Sequence, residues 1–294
     1  MIPAPATAAV PFGDRLEQAF AAYGQLCVGI DPHAWLLSAW GLPDSAAGAE
    51  TFGRTVVEAA AGRAGIVKPQ IAFFERFGSS GYAALERTLA DARSAGLLVI
   101  GDVKRGDLGT SAEAYAQAWL TAGSPLEVDA ITVSAYMGVG SLDAAIGIAT
   151  DGGKGLFVLS ATSNPEAGPI QRAVVADGAR AGKSVARAIL DEVGERNAAA
   201  TTGALGSIGV VLGATLDLAD FGIDLAAAPS TALTPVLAPG FGHQGADVTN
   251  IESLYSGYAR GVIVSESRSV LAAGPDRLVE AIVRRVAETG AARG

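Results

Sequence analysis

The sequence is short of the residues that build disulfides and histidine–cysteine metal sites. Its 294 residues include one cysteine, Cys27, and two histidines. A single cysteine excludes an internal disulfide and fits a reducing compartment, so we expect a cytoplasmic protein. The same scarcity argues against a zinc site built from His and Cys. Because Cys27 lies within the apolar run Leu-Cys-Val-Gly-Ile, it is interpreted as a small core residue rather than a nucleophile.

Charged residues and long apolar runs are also scarce. Only 17% of the residues are charged and 50% are hydrophobic, with a formal net charge of −9. A negative net charge argues against binding to nucleic acid or to an anionic membrane surface. No apolar run reaches the roughly 18 residues that span a membrane, and the first residues lack the basic region and apolar core of a signal peptide. An anionic substrate would therefore have to be attracted by local cations.

Short apolar runs alternate with helix-like stretches along the chain. The runs predict eight strands, at residues 26–31, 65–69, 97–103, 128–134, 155–160, 207–212, 232–238 and 261–265. Strands that alternate with helices form a parallel sheet, and eight of them are typical of a closed (β/α)8 TIM barrel. We expect one domain over residues 1–294, with residues 1–11 as a loose N-terminal arm. Between strands five and six, apolar positions from Val174 to Val193 predict an extended helical segment.

The end of the third predicted strand carries a cluster of polar residues. Asp102 and Lys104 are two residues apart, so on an extended chain they face the same side. Asp107 follows in a glycine-flanked turn, and Thr110 and Ser111 stand where a helix N-cap is expected. Three ionised groups and two hydroxyls at one strand-to-helix junction indicate either a structural ion-pair network or a functional site.

Polar residues also follow the other predicted strands, at the ends where a TIM barrel carries its chemistry. They are Asp31, Lys68, Ser134, Ser163, Gln244, Ser267 and Arg268. Together with the third strand they bring lysines, aspartates and an arginine to one mouth, more charge than a purely structural barrel requires. We therefore expect a site for an anionic ligand at this end of the barrel.

The segment after the seventh predicted strand reads Gly-x-Gly-x-x-Gly, from Gly240 to Gly245. With Glu266 about 20 residues further on, it formally matches a dinucleotide-binding motif. Such a motif normally opens the first strand–helix unit, whereas the loops after strands seven and eight of a barrel often bind phosphate. Backbone N–H groups of a glycine loop and the guanidinium of Arg268 suit a phosphate. We expect a phosphate site here, with a dinucleotide site and a plain turn as alternatives, and interpret His243 as a loop residue.

The stretch Asp-Val-Lys-Arg-Gly-Asp-Leu-Gly, residues 102–109, resembles the motif of the orotidine 5′-phosphate decarboxylases, in particular their bacterial type 2 subgroup. The resemblance extends from about residue 12 to residue 287. Other stretches contribute to it: Val-Gly-Ile-Asp-Pro-His around Asp31, Val-Lys-Pro-Gln-Ile-Ala-Phe-Phe-Glu around Lys68, Thr-Ser-Asn-Pro around Ser163, and Gly-Val-Val-Leu-Gly-Ala-Thr at residues 209–215.

The resemblance implies decarboxylation of orotidine 5′-monophosphate to uridine 5′-monophosphate in pyrimidine biosynthesis, without a metal or another cofactor. It implies that Lys104 donates a proton to C6 of the pyrimidine and that Asp102 faces the departing carboxylate. Lys68 and Asp107 would hold Lys104 in place. It also implies a homodimer in which Asp107 acts in the partner's site. Substrate-binding residues implied by the resemblance are Asp31 and either Thr110 or Ser111 for the ribose, Ser163 for the pyrimidine, and Gln244, Ser267 and Arg268 for the phosphate.

Two functions of other classes remain open at the level of the sequence. A Mg²⁺-dependent sugar-phosphate lyase of the same suprafamily, similar to hexulose-phosphate synthase, could use the same Asp-Lys-Asp set. Ser163 and the loop bearing Gln244 favour a nucleotide over a sugar phosphate. A non-catalytic nucleotide-binding barrel is the third possibility, but a protein that only binds would not need Asp102 opposite an anionic substrate.

Overall fold

The computed structural model describes residues 9–201, 203–226 and 232–291. Within them the strands pair in parallel in chain order, and the last strand pairs with the first, which closes a barrel. The predicted (β/α)8 barrel is confirmed. The strands are β1 (Leu26–Ile30), β2 (Ile66–Pro69), β3 (Leu98–Arg105), β4 (Ala130–Val133), β5 (Gly155–Ala161), β6 (Ile208–Leu212), β7 (Val236–Pro239) and β8 (Val262–Glu266).

Helices alternate with the strands and cover the outside of the barrel. In the described ranges, no helix combines the length and the apolar character needed to cross a membrane. The helices are α1 (Phe12–Tyr23), α2 (Ala34–Ala39), α3 (Ala46–Ala60), α4 (Ala72–Glu75), α5 (Gly78–Ser94), α6 (Gly109–Leu120), α7 (Asp143–Asp151), α8 (Gly168–Gln171), α9 (Val185–Ala200), α10 (Ile251–Tyr255), α11 (Arg268–Leu271) and α12 (Leu278–Ala291).

The core has two apolar layers, one between the strands and the outer helices and one inside the barrel. The inner layer includes Cys27, Ile66, Ile100 and Phe157, all buried. Burial raises the pKa of the Cys27 thiol to about 12, so the thiol stays protonated at neutral pH. Its position agrees with the interpretation of Cys27 as a core residue.

Helix α1 closes the N-terminal end of the barrel. Phe12 packs edge-on against Phe157 inside the barrel, with ring centroids 5.9 Å apart. Residue 155 is a glycine at the point of closest approach, because a Cβ there would lie 2.5 Å from the Phe12 ring. The backbone N–H of Gly13 also donates to the hydroxyl of Ser207, immediately before β6. With this end closed and the interior filled, the C-terminal end of the barrel is left for a binding site.

Some predicted boundaries are wrong. Strand β7 begins at Val236 rather than at residue 232, because the preceding segment pairs with its neighbour through only an isolated bridge at Leu233. Val174 does not belong to the long helix before β6, since that helix begins after Ser184, whose hydroxyl caps it by accepting the N–H of Arg187. Residues 1–8 of the predicted arm lie outside the described residues, and the single-domain organisation of the whole chain stays a prediction.

Candidate active site

A cavity of about 340 Å³ opens at the C-terminal end of the barrel. Alternation along the strands brings charged residues to it, because Lys68 and Asp102 come two residues after the inward-facing Ile66 and Ile100. Residues that line the cavity thus come from different strand ends. The predicted site residues among them are Asp31, Lys68, Asp102, Gln244, Ser267 and Arg268.

The Asp102 carboxylate lies between two lysines. Its Oδ2 accepts a hydrogen bond from Lys68 Nζ at 3.0 Å, and its Oδ1 accepts one from Lys104 Nζ at 2.6 Å. The Thr132 hydroxyl of β4 donates to the same Oδ1 at 2.8 Å. Both carboxylate oxygens therefore have partners, and the network joins β2, β3 and β4.

Lys104 is the most exposed charged residue of this network, and it is not itself among the residues that line the cavity. Its side chain is 46% exposed, whereas that of Lys68 is 9% exposed. Its ammonium also donates to the side-chain oxygen of Gln70, a cavity residue, at 3.3 Å. Because an ammonium carries three N–H donors, this arrangement leaves one of them without a partner among the described residues. Lys104 also has a φ of +47°, which is uncommon for a residue other than glycine.

The charges in the network shift each other's pKa values. Burial by itself favours the neutral form of Lys68, but the carboxylates of Asp102 and Asp31 outweigh it and raise the pKa of this lysine. For Asp102, burial acts to raise the pKa, and the neighbouring Lys68 and Lys104 outweigh it and lower the pKa well below its usual range. Asp102 is therefore ionised and Lys68 protonated at neutral pH.

The opposite side of the cavity carries a positive charge beside a glycine-rich loop. Arg268 lines the cavity and forms no ion pair with any residue that the structure describes. The loop's glycines, Gly240, Gly242 and Gly245, have φ values of +121°, +68° and +102°, which side chains rarely allow. Gln244 of the loop accepts a hydrogen bond from Ser163 after β5, over 3.4 Å. The geometry fits the predicted phosphate site.

Two buried oxygen atoms beside the cavity lack partners within the described part of the chain. They are Oδ1 of Asp31 and Oγ of Ser267. The two residues are held near each other because β1 pairs with β8, and Gly29 permits the approach, since a Cβ there would lie 2.6 Å from Ser267 Cβ. Unpaired buried oxygens in a cavity indicate that a polar ligand completes the site.

The dinucleotide alternative disagrees with the structure. Its acidic residue, Glu266, is 1% exposed, and its carboxylate binds the guanidinium of Arg285 and the hydroxyl of Ser269. This carboxylate is therefore not available to bind a ribose.

Among the described residues, no group of three or more His, Cys, Asp or Glu side chains is arranged to hold a metal ion.

The residues after β3 are not brought to the cavity of their own chain. The Asp107 carboxylate accepts the backbone N–H of Leu108 at 2.8 Å, and no lysine among the described residues pairs with it. Thr110 and Ser111 are exposed and lie in the first turn of α6. The expected N-cap role for these two residues is wrong, because Leu108 holds the N-cap position.

Comparison with known proteins decides the family. Residues 24–281 match the model of the orotidine 5′-phosphate decarboxylase / HUMPS family. The chain belongs to this family. Curated orotidine 5′-phosphate decarboxylases from Nocardioides sp. and Salinispora arenicola are 51% and 50% identical to it. The alignments cover 94% and 90% of this chain and 97% and 91% of those proteins, respectively.

Solved structures agree with the family assignment. A crystal structure of a Streptomyces avermitilis homologue superposes with a TM-score of 0.90 at 47% identity and covers 99% of both chains. The Leishmania donovani OMP decarboxylase superposes with a TM-score of 0.72 at 28% identity, over 97% of this chain and 99% of that one. The resemblance inferred from the sequence motifs is confirmed.

Sequence reasoning missed two residues of the network, Thr132 and Gln70. Strand alternation contained a signal for Thr132, since it comes two residues after the inward-facing Ala130 in an otherwise apolar strand. Gln70 follows Lys68-Pro69 directly, but its contact with Lys104 depends on how β2 and β3 lie side by side.

The pKa shifts in the network predict how stability depends on pH. The pKa of Asp102 is lowered on folding, so ionised Asp102 adds to the free energy of unfolding at any pH above the ordinary carboxyl pKa of about 3.9. This stabilisation is lost as the pH falls below that value. The pKa of Lys68 is raised on folding, so protonated Lys68 adds to the free energy of unfolding up to about pH 10.4, and this stabilisation is lost at higher pH. The free energy of unfolding that wild type gains over Asp102→Asn should be fully present at pH 5. Below about pH 4 it should shrink by about 1 kcal/mol per pH unit. Urea unfolding between pH 3 and pH 9 measures this difference, and a constant gain down to pH 3 would contradict the lowered pKa.

Proposed function

We propose that this chain decarboxylates orotidine 5′-monophosphate to uridine 5′-monophosphate, with Lys104 as the proton donor. The observation that carries the proposal is the exposed Lys104 ammonium, which is bonded to two residues that line the cavity. Asp102 and Gln70 hold two of its three N–H donors, 2.6 and 3.3 Å away. The remaining N–H is free to point at a substrate atom in the cavity.

The reaction breaks the bond between C6 of the pyrimidine and its carboxylate, and the electron pair stays on C6 as CO₂ leaves. No carbonyl next to C6 spreads this charge, so a fixed cation at that carbon stabilises it. The Lys104 ammonium then transfers its proton to C6 and is reprotonated from solvent. Because Lys68 is buried against Asp102, the network does not have to reorganise when the charge appears.

The rest of the substrate fits the other side of the cavity. We assign the phosphate to Arg268, the glycine loop bearing Gln244, and Ser267. Asp31, with an unpaired buried oxygen, is assigned to a ribose hydroxyl, and Ser163 to the pyrimidine. These contacts orient C6 towards Lys104, whose ammonium is bonded to the cavity residues Asp102 and Gln70.

We also propose that the reaction needs no metal ion. The hydrogen bonds of Asp102 support this proposal, because each of its two carboxylate oxygens already accepts a hydrogen bond from a lysine. Two ammonium groups beside this carboxylate repel a divalent cation that would compete for it. In the Mg²⁺-dependent alternative, Asp102 would instead have to serve as a ligand.

A homodimer with Asp107 in the partner's site completes the proposal, and we expect it in the cytoplasm. Asp107 is supported as a residue for the partner because no lysine of the described part of its own chain pairs with it. Large apolar side chains are also exposed on the segments after the neighbouring strands β3 and β4, which is typical of an interface. They are Leu108, Tyr115, Tyr136 and Met137, with 60%, 41%, 79% and 44% exposure.

Purified protein should convert orotidine 5′-monophosphate, followed by ultraviolet absorbance, at the same rate before and after exhaustive treatment with a chelator. Activity that disappears with chelation and returns with Mg²⁺ would favour the sugar-phosphate lyase. Nucleotide binding without turnover would favour the non-catalytic barrel.

Mixing two inactive variants tests the role of Asp107. Lys104→Ala removes the proton donor and Asp107→Ala removes the proposed partner residue, so each variant alone should lose turnover. In a mixed dimer, one site contains both native residues. Statistical mixing should therefore restore about a quarter of wild-type activity in a steady-state assay.

The control for this experiment mixes Lys104→Ala with Asp102→Asn. Both residues belong to the same chain's site, so every site in the mixed dimer keeps one defect and activity should stay absent. Mixed dimers that form but remain inactive in the first experiment would contradict the proposed action of Asp107 in the partner's site.

Arg268→Ala tests the phosphate assignment. A charged hydrogen bond of this kind is worth roughly 1.5–3 kcal/mol, so KM for orotidine 5′-monophosphate should rise about ten- to a hundredfold. The kcat should fall only as far as phosphate binding is coupled to closure of the site. The reaction of orotidine, which lacks the phosphate, should be unchanged.

Arg277→Ala is the matched control for Arg268→Ala, because it removes the same charge from an exposed position outside the cavity lining. It should leave KM for both substrates unchanged. Arg268 does not bind phosphate if its replacement slows orotidine and its 5′-phosphate equally.

A further inference from the structure

The pairing of β3 with β4 is irregular at the proposed catalytic residues. Gly101 and Arg105 of β3 both pair with β4, and the three β3 residues between them face a single β4 residue, Thr132. Extra residues on one strand interrupt the regular ladder of backbone hydrogen bonds and redirect the side chains there. Asp102 and Lys104 both lie in this irregular segment.

Lys104 adopts a backbone conformation that needs support. Its φ is +47°, in the left-handed region that a side chain disfavours. Such a conformation persists only when surrounding contacts hold it. Its backbone N–H donates to the side-chain hydroxyl of Thr132, over 3.0 Å.

The Thr132 hydroxyl connects the Lys104 backbone to the Asp102 carboxylate. It accepts the N–H of Lys104 and donates its own hydrogen to Asp102 Oδ1 over 2.8 Å. The direction of both bonds is determined, because an amide N–H can only donate and an ionised carboxylate can only accept. Thr132 is 1% exposed, so water does not compete for either bond.

We propose that Thr132 is a positioning residue for the decarboxylation, holding Lys104 in the orientation that presents its free N–H to the substrate. It acts through the Lys104 backbone and the Asp102 carboxylate and has no contact with substrate. This inference rests on the proposed function, because it concerns Lys104 as a proton donor. Serine and threonine suit the position, whereas valine has the same shape and lacks both hydrogen bonds.

Thr132→Val should lower kcat and leave substrate binding intact. The variant leaves the partly buried Lys104 N–H without its acceptor, and a small displacement of a reacting group is costly in rate. We expect kcat to fall about ten- to a hundredfold. KM for orotidine 5′-monophosphate and the Kd for uridine 5′-monophosphate should stay within about threefold of wild type, since the Thr132 hydroxyl bonds to Lys104 and Asp102 and to none of the residues assigned to the phosphate or the ribose.

Thr132→Ser should restore kcat to within about threefold of wild type, because serine keeps the donor and the acceptor. The matched control is Thr88→Val, which removes another fully buried hydroxyl, one that donates to Ala84 O within α5. It should lower Tm and leave kcat unchanged. Kinetics are measured well below the Tm of every variant, with the folded fraction determined by circular dichroism and product affinity by calorimetry.

A wild-type kcat in Thr132→Val would overturn the inference. Equal losses of kcat in the Val and Ser variants would also overturn it, because the hydroxyl would then not be the group that matters. A loss in Thr132→Val that Thr88→Val reproduces would show a general stability effect and would overturn it too. Wild-type protein that fails to turn over orotidine 5′-monophosphate overturns the proposed function itself, which is a distinguishable result.

Discussion

The buried carboxylate of Asp102 between Lys68 and Lys104 is the interaction on which the rest of the site depends. Charges removed from water are costly unless opposite charges and hydrogen bonds compensate them. Here two ammonium groups and the Thr132 hydroxyl compensate one carboxylate. The compensation keeps Lys68 and Asp102 ionised, and the hydrogen bonds fix the positions of the carboxylate and of both lysine side chains before any substrate arrives. A fixed cation is more effective than a mobile one, since no reorganisation is needed when charge develops beside it.

The barrel makes this network possible by separating stability from chemistry. Helix α1 and the apolar inner layer fill the N-terminal end and the interior. The strands then carry polar side chains beyond that layer, where they meet without disturbing the core. Asp102 is joined to β2 through Lys68 and to β4 through Thr132, so the site is built across three strands that hydrogen bonds connect where the chemistry is proposed.

The cavity has two ends with different electrostatics. At one end two ammonium groups, those of Lys68 and Lys104, share the single negative charge of Asp102, so this cluster keeps one net positive charge that is already paired with a carboxylate. At the other end Arg268 has no counter-ion among the described residues, so an anion there gains a full attraction. This local cation resolves the apparent conflict between a net charge of −9 and a substrate that carries a dianionic phosphate. In our proposal the phosphate is bound at the unpaired cation, and its binding energy helps to bring C6 to Lys104.

The amino-acid sequence by itself determined the barrel and most of the charged residues at its mouth. Short apolar runs and strand alternation depend on local order along the chain, so they predicted the strands, Lys68, Asp102 and the glycine loop without a structure. Only the tertiary structure decided that Glu266 serves Arg285 rather than a ligand and that Thr132 and Gln70 join the network. It alone revealed the left-handed backbone of Lys104. These features depend on contacts between residues distant in the chain and on the irregular pairing of β3 with β4, which no local pattern encodes.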